Sequence, residues 1–380
     1  MVNIDVVCFC HLRWNFVFQR PQHLMTRFGK NRRLIFVEEP VFNATENHME
    51  ITMDDTNRVW IMVPHLKSDM EMSDVIAAQK ALVDYLLISM QIKRYVLWYY
   101  SPMALGWSDH LNPELIIYDC MDELAAFKFA PPHLIQQELK LLQKADIVFT
   151  GGQSLYEAKK HLHNNIYAFP SSIDKTHFNI ARFEVEEPVD QANIPHPRIG
   201  FYGVLDERLD IDLLSQLVAL RPDWHFVLIG PVVKIDPADL PRQNNIHYLG
   251  SKNYTELPYY LAGWDIAMMP FALNESTRYI SPTKTPEYLA GGKPVVSTPI
   301  KDVVTPYGEK GLVHIAATPS IFIAAAEAIL TKIGYDEWLV KVDEFLSDIS
   351  WEKTWQNMEI LIAKTIESKR DVKLKAHNYV

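Results

Sequence analysis

The chain has 380 residues, 48% hydrophobic and 22% charged, which excludes a disordered or fibrous protein and gives enough length for two cores. Its formal charge of -10 speaks against nucleic-acid binding, because a phosphate backbone is held by clustered Lys and Arg. Cys8, Cys10 and Cys120 are too few and too unevenly spaced for a disulfide framework or a structural zinc site, and fit a reducing compartment.

The opening MVNIDVVCFCHLRW has an apolar run with no basic segment before it and no small-residue cleavage site after it, so it predicts a first strand. No stretch reaches the roughly 18 apolar residues of a membrane-spanning helix, and the expected location is the cytoplasm. Short β-rich runs then alternate with amphipathic ones, the pattern of an α/β protein with parallel sheets. Strands are expected at Ile4–Phe9, Leu34–Glu38, Trp60–Val63, Tyr95–Tyr100, Leu115–Asp119, Ile147–Thr150 and Ile166–Phe169. Apolar residues at three- and four-residue steps predict helices over Val75–Ile92 and Leu134–Lys144. The charged, proline-bearing RFEVEEPVDQANIPHPR lacks periodicity and reads as a linker. A second alternation follows, with strands expected at Ile199–Val204, Phe226–Gly230, Ile246–Leu249, Ile266–Pro270, Val295–Ser297 and Val313–Ala316. A last helix, Trp351–Ser368, is long enough to cross back. The expected division is two doubly wound, Rossmann-like domains, 1–172 and 173–350, with 351–380 packing on the first.

The segment ISPTKTPEYLAGGKPVVSTP reads as a helix with Pro282 near its start and Gly291-Gly292 at its end, followed by a buried strand. Backbone N–H groups at Thr283 to Thr285, with Lys284 beside them, would suit a diphosphate. Glu287 lies three residues beyond Lys284 and so shares its helix face. Its carboxylate there can accept from both hydroxyls of a ribose; an ordinary surface ion pair is the plainer alternative. Gly203 follows the first strand of the second half, where a glycine turn lets phosphates approach the backbone, and Arg208 is either a diphosphate contact or a helix-start surface residue. Asn274, Thr277 and Arg278 are the polar candidates of a loop that either faces a ligand or is solvated. Asp210-Ile211-Asp212 resembles a metal-binding D-x-D but falls at a helix start, where acids are favoured, and reads as capping. No metal and no cofactor is expected; Lys284, Arg208 and helix N-termini would meet leaving-group charge.

In the first half, Asp119 ends a strand and Asp122 lies just beyond it, at the edge where open sheets bind ligands. Asp122 is the catalytic candidate, as general base or as an orienting carboxylate; a loop cap is the alternative. The loop after the first strand offers Arg13, Trp14, Gln19 and Arg20 to a sugar acceptor, although a lone tryptophan more often fills a core. Arg27, Lys30, Arg32 and Arg33 form a basic cluster that suggests anionic lipid headgroups or a plain solvated face.

These residues resemble a known family. PEYLAGGKPVVST is similar to the E-A-x-A-x-G-x-P-V-V signature of group 1, family-4-like GT-B glycosyltransferases, with Glu287 at the ribose-gripping glutamate. FPSSIDKTHF resembles the interdomain P-N-G-V-D-x-x-x-F, with Ser171 and Ser172 replacing Asn-Gly, and IGFYGVL resembles the first strand and turn of the donor domain. HLRWNFVFQRPQHL and YDCMDE look most like a bacterial teichuronic-acid-type subgroup. Two departures stand out: Tyr279 occupies the position of the first glutamate of E-x7-E, and Met121 that of a histidine. The resemblance implies a GT-B fold and a retaining hexosyltransferase. It would move a sugar from a UDP- or GDP-sugar to a saccharide or lipid-linked acceptor, at the inner face of the membrane, in cell-surface polysaccharide synthesis. A GT-B sugar-nucleotide epimerase and a catalytically silent sugar-nucleotide-binding scaffold are the alternatives.

Overall fold

The computed structural model describes residues 4–377, so residues 378–380 of the expected C-terminal segment lie outside it. Among the described residues the chain forms two sheets, one of nine strands and one of six. The first holds β1 (Asp5–Phe9), β2 (Leu34–Val37), β3 (Val41–Ala44), β4 (His48–Asp54), β5 (Val59–Lys67), β6 (Tyr95–Tyr99), β7 (Leu115–Cys120), β8 (Ile147–Thr150) and β9 (Ile166–Ala168). Its order is β3-β5-β2-β1-β6-β7-β8-β9, with β4 added antiparallel on β5. Covering both faces explains why the strands read as continuous apolar runs. Val6 and Cys8 of β1 pack with Leu24, Phe28, Trp351 and Met358 on one face, while Val7 and Phe9 pack with Val83, Leu86 and Leu141 on the other.

The second sheet holds β10 (Arg198–Tyr202), β11 (His225–Ile229), β12 (Ile246–Tyr248), β13 (Ile266–Met269), β14 (Val295–Ser297) and β15 (Val313–Ile315). All its pairings are parallel, in the order β12-β11-β10-β13-β14-β15. The chain thus reverses direction between β10 and β13, and ligands of open α/β sheets bind beyond the strand ends at such a switch point. In the first sheet the equivalent reversal lies between β1 and β6.

The chain passes between the sheets twice. It leaves the first after β9, through Phe169 to Ser172, and Ile173, Phe178 and Ala181 already belong to the second core. It returns at Trp351, where the helix Trp351–His377 begins, and Trp351, Met358, Ile362 and Ile366 belong to the first core. The two crossings touch: the Trp351 N–H donates to the Ile173 carbonyl at 3.2 Å.

β3 and β4 are not among the strands expected from sequence. They are mostly exposed, and their residues NATENHMEIT offer little apolar alternation; pairing along β5 organises them. The basic cluster takes part in ion pairs. Arg27 and Lys30 both reach Glu352 at 3.4 Å and Arg32 pairs with Glu359, so these three fasten the returning helix, whereas Arg33 pairs with Asp5 of β1. No helix among the described residues is long and apolar enough to cross a membrane.

Candidate functional site

The strand ends of the two sheets face each other across a cavity of about 320 Å³. From the second domain it is lined by Tyr202, Gly203, Arg208, Gly230, Tyr254, Thr283, Lys284 and Glu287, and from the first by Trp14 to Gln19, Asp54 and Asn57. Glu287 and Lys284 come from the helix Lys284–Ala290, which ends at Gly291. Pro286 is tolerated there because the first N–H groups of a helix have no internal partner. The helix start is two residues later than Pro282, with Thr283 as its flanking residue.

Glu287 is only 6% exposed. Its Oε2 accepts a hydrogen bond from the Tyr202 hydroxyl at 2.8 Å, and Tyr202 is itself held by its N–H to the Tyr288 hydroxyl at 3.0 Å. Burial pushes the Glu287 carboxyl up to about 7, against the pull of the Lys284 ammonium and the Tyr202 hydrogen bond. Burial also brings Lys284 down to about 8, with Arg208 repelling it further. The lysine crosses the bare Cα of Gly203. A Cβ there would lie 2.3 Å from Lys284 Cε, and the backbone φ of +144° already favours glycine. These two residues, 81 positions apart in chain number, make one surface at the end of β10.

Asp122 is half-buried beyond β7, and burial lifts its carboxyl to about 6, with Arg208, Arg20 and Lys284 pulling the other way. Three cations, together with Asp206, which pushes the other way, therefore act on one carboxyl from both domains. The same loop closes on the second domain: the Lys128 N–H donates to Glu207 Oε1 at 3.0 Å, its Nζ donates to the Lys234 carbonyl at 3.1 Å, and Phe127 lies under Arg208 and Lys234. Among the described residues no three His, Cys, Asp or Glu side chains gather so as to hold a metal ion.

Residues 196–332, most of the second domain, match the family model described as glycosyl transferases group 1. The second half of this chain is similar to that family. It is 26% identical over 261 residues to a putative teichuronic acid biosynthesis glycosyltransferase, TuaH, of Bacillus subtilis strain 168, covering 64% of this chain and 65% of that one. The match thus spans just under two thirds of the relative's length. The structure is similar to sucrose-phosphate synthase of Thermosynechococcus elongatus, with a TM-score of 0.67 at 13% identity over 96% of this chain and 100% of that one. It is also similar to HepE of Anabaena in complex with UDP and glucose, with a TM-score of 0.63 at 14% identity over 95% and 100%. At these identities the likeness shows the fold, which is GT-B.

Several expected site residues sit otherwise than their sequence positions suggested. Thr285 is 1% exposed and its hydroxyl donates to Met269 Sδ at 3.4 Å, so of the two threonines only Thr283 lines the cavity. Arg278 does not line it; its side chain is 60% exposed, 3.7 Å from Glu275 and over the Tyr279 ring. Arg208 does, but forks onto Asp206, with Nη2 to Oδ2 at 2.6 Å. Arg20 is buried in a fork on Asp119 and donates to the Phe169 carbonyl at 2.7 Å, which removes it from any acceptor contact in this structure. Arg13 donates to Glu38 and the Glu39 carbonyl. Trp14 packs edge-on against Phe36 and donates Nε1–H to Asp54 Oδ2 at 2.8 Å, so it is a core residue with one edge on the cavity. Gln19 lines the cavity and flanks the helix Arg20–Gly29, where its N–H donates to Gln22 Oε1. Asp210 caps the helix Ile211–Leu220 through the Leu213 N–H at 2.8 Å, which accounts for one acid of the D-x-D look-alike.

Sequence reasoning missed Tyr202, Tyr254, Asp54 and Asn57. Tyr202 carried a usable signal, since it directly precedes the glycine turn that ends β10. Asp54 and Asn57 carried none, because the strand that ends at Asp54 was itself unexpected and Asn57 lies in the turn that follows it.

Proposed function

We propose that this protein is a glycosyltransferase that moves a sugar from a nucleoside diphosphate sugar to a saccharide or lipid-linked saccharide. The observation that carries the reading is the buried Glu287 and half-buried Lys284 on one helical turn at the cavity wall, with the lysine laid over Gly203. In this reading the Glu287 carboxylate accepts from the ribose hydroxyls, and Lys284, with the backbone at Thr283 and Gly203, meets the diphosphate. Arg208 joins by exchanging part of its fork on Asp206 for a phosphate oxygen. These cations supply the charge stabilisation of the leaving group, with no metal assigned a step. The glycosidic carbon–oxygen bond to the diphosphate breaks, the acceptor oxygen bonds to that carbon, and the acceptor proton leaves. Asp122, outside the cavity lining but within electrostatic reach of Arg208 and Lys284 and lifted to about 6, orients the acceptor or receives that proton.

The similarity to a structure holding UDP and glucose supports a uridine donor, and the family resemblance supports retention of configuration. The TuaH relative, named for teichuronic acid biosynthesis, supports an acceptor of the cell-surface polysaccharide class. The two crossings, at 172/173 and 350/351, are the proposed domain boundaries. Incubation with a panel of UDP- and GDP-sugars and oligosaccharide acceptors tests the function. Free nucleotide plus a new glycoside is the expected product, and its anomeric configuration reads out the stereochemistry. An isomerised donor would instead make the protein an epimerase, and binding without turnover across the panel would make it a silent scaffold.

A further inference from the structure

Tyr254 is a cavity residue that the proposed donor site leaves unused. Its ring lies between the two domains. On one side it stacks on Phe18 of the first domain, with centroids 4.7 Å apart and planes at 30°. On the other it stacks on His177, after the first crossing, at 4.4 Å and 16°. Phe178 and His23 meet it edge-on at 5.6 and 5.3 Å. This cage fixes the ring but leaves its polar end unserved: the Tyr254 hydroxyl is buried and has no hydrogen-bond partner among the described residues. A buried polar group is stable only when something bonds to it, so an orphan hydroxyl on the wall of a ligand cavity points to the ligand. Glu287 lies close enough that its charge adds to the effect of burial in pushing the phenol well above its usual range.

We infer that Tyr254 is a donor-binding residue, whose hydroxyl bonds to the nucleoside moiety beside Glu287 and whose ring, docked on Phe18, makes donor binding and domain closure one event. The inference rests on the nucleotide reading of the cavity. It gives the loop Trp14–Gln19 a role facing the nucleotide, as the roof laid over Tyr254, in addition to any acceptor contact. A nucleotide bound by the second domain alone would leave Phe18 without its stacking partner in the open form. Closing the domains restores the stack and buries the ligand together with the Tyr254 hydroxyl.

The test uses the full chain and two variants, titrated with UDP, GDP and ADP, with the matching nucleosides and with inorganic pyrophosphate. Tyr254→Phe keeps the ring and cage, and should weaken nucleoside and nucleoside diphosphate by the same factor, about fivefold, leaving pyrophosphate unchanged. Phe18→Ala keeps the hydroxyl and should weaken the nucleotide while abolishing the compaction that it produces in small-angle scattering. Equal nucleotide affinity in wild type and Tyr254→Phe, or an equal loss for pyrophosphate, overturns the binding role. Undiminished compaction in Phe18→Ala overturns the coupling. A wild-type protein that binds none of the three nucleotides removes the donor-site reading itself, and this inference with it, before any variant is compared.

Discussion

Burial moves Glu287 and Lys284 toward each other on the pH scale, to about 7 and about 8, so both change charge near neutrality. The carboxylate is the form that accepts from ribose, so nucleoside affinity should fall as pH drops below about 7. The ammonium is the form that holds diphosphate, and a bound anion raises its pKa, so nucleotide affinity should fall as pH rises above about 8. Calorimetric titration across the neutral range should therefore give a bell for nucleoside diphosphate and only the acid limb for nucleoside. A flat profile for both would leave the pair structural. Glu287→Ala should weaken both ligands at least about tenfold, whereas Lys284→Ala should weaken only the diphosphate. Asp122→Asn should lower turnover roughly 10²- to 10⁴-fold with donor affinity nearly unchanged. Near-normal turnover would make Asp122 a loop cap. The Glu287–Lys284 pair was legible from sequence because helix spacing brings residues three apart onto one face. Arg20 was not: its partner Asp119 lies 99 residues away, and no local pattern distinguishes a long-range buried ion pair from a free cleft arginine.

Elements were legible in proportion to how completely they are buried. β1, β2, β6, β7 and β8 lie between two helical layers and carry unbroken apolar runs, whereas β3 and β4 hang on one edge and are defined by their neighbour β5. The helix Trp351–His377 shows the same contrast within a single element. Met358 is fully buried among first-domain residues, and Glu352 is half-exposed while pairing with Arg27 and Lys30. Met358→Ala should cost about 2–5 kcal/mol, from lost apolar transfer and the cavity left behind. Glu352→Ala should cost about 0–1 kcal/mol, as solvated ion pairs do. Urea unfolding of the two variants, followed by tryptophan fluorescence, separates them. Similar midpoints would mean that the helix is held by its charges.

At the scale of the molecule, two doubly wound domains were legible from two successive alternations, and the family resemblance implied their GT-B arrangement. The expected linker RFEVEEPVDQANIPHPR, however, packs on the second domain through Gln191 and Ile194, while the crossing lies at Phe169 to Ser172. The contacts that close the cleft were not legible. They join residues of unremarkable local context: Lys128 to Glu207, Phe18 to Tyr254, and the Ser154 N–H to Asp302 Oδ1 at 3.0 Å. The paired crossings have a further consequence. Each half lends a piece of itself to the other: Ile173, Phe178 and Ala181 are laid into the second core, and Trp351, Met358, Ile362 and Ile366 into the first. Cutting the backbone once between them, at a protease site engineered into the exposed stretch at Phe183 and Glu184, would leave two fragments, each holding a segment clasped in its counterpart. Such a nicked chain should elute from a sizing column in native buffer as one particle of unchanged size, and come apart only when denatured. Separation in native buffer would mean that the returning helix is merely draped over the first domain. Reciprocal clasping makes the protein its own complementation pair, so its integrity does not depend on the linker that joins its halves.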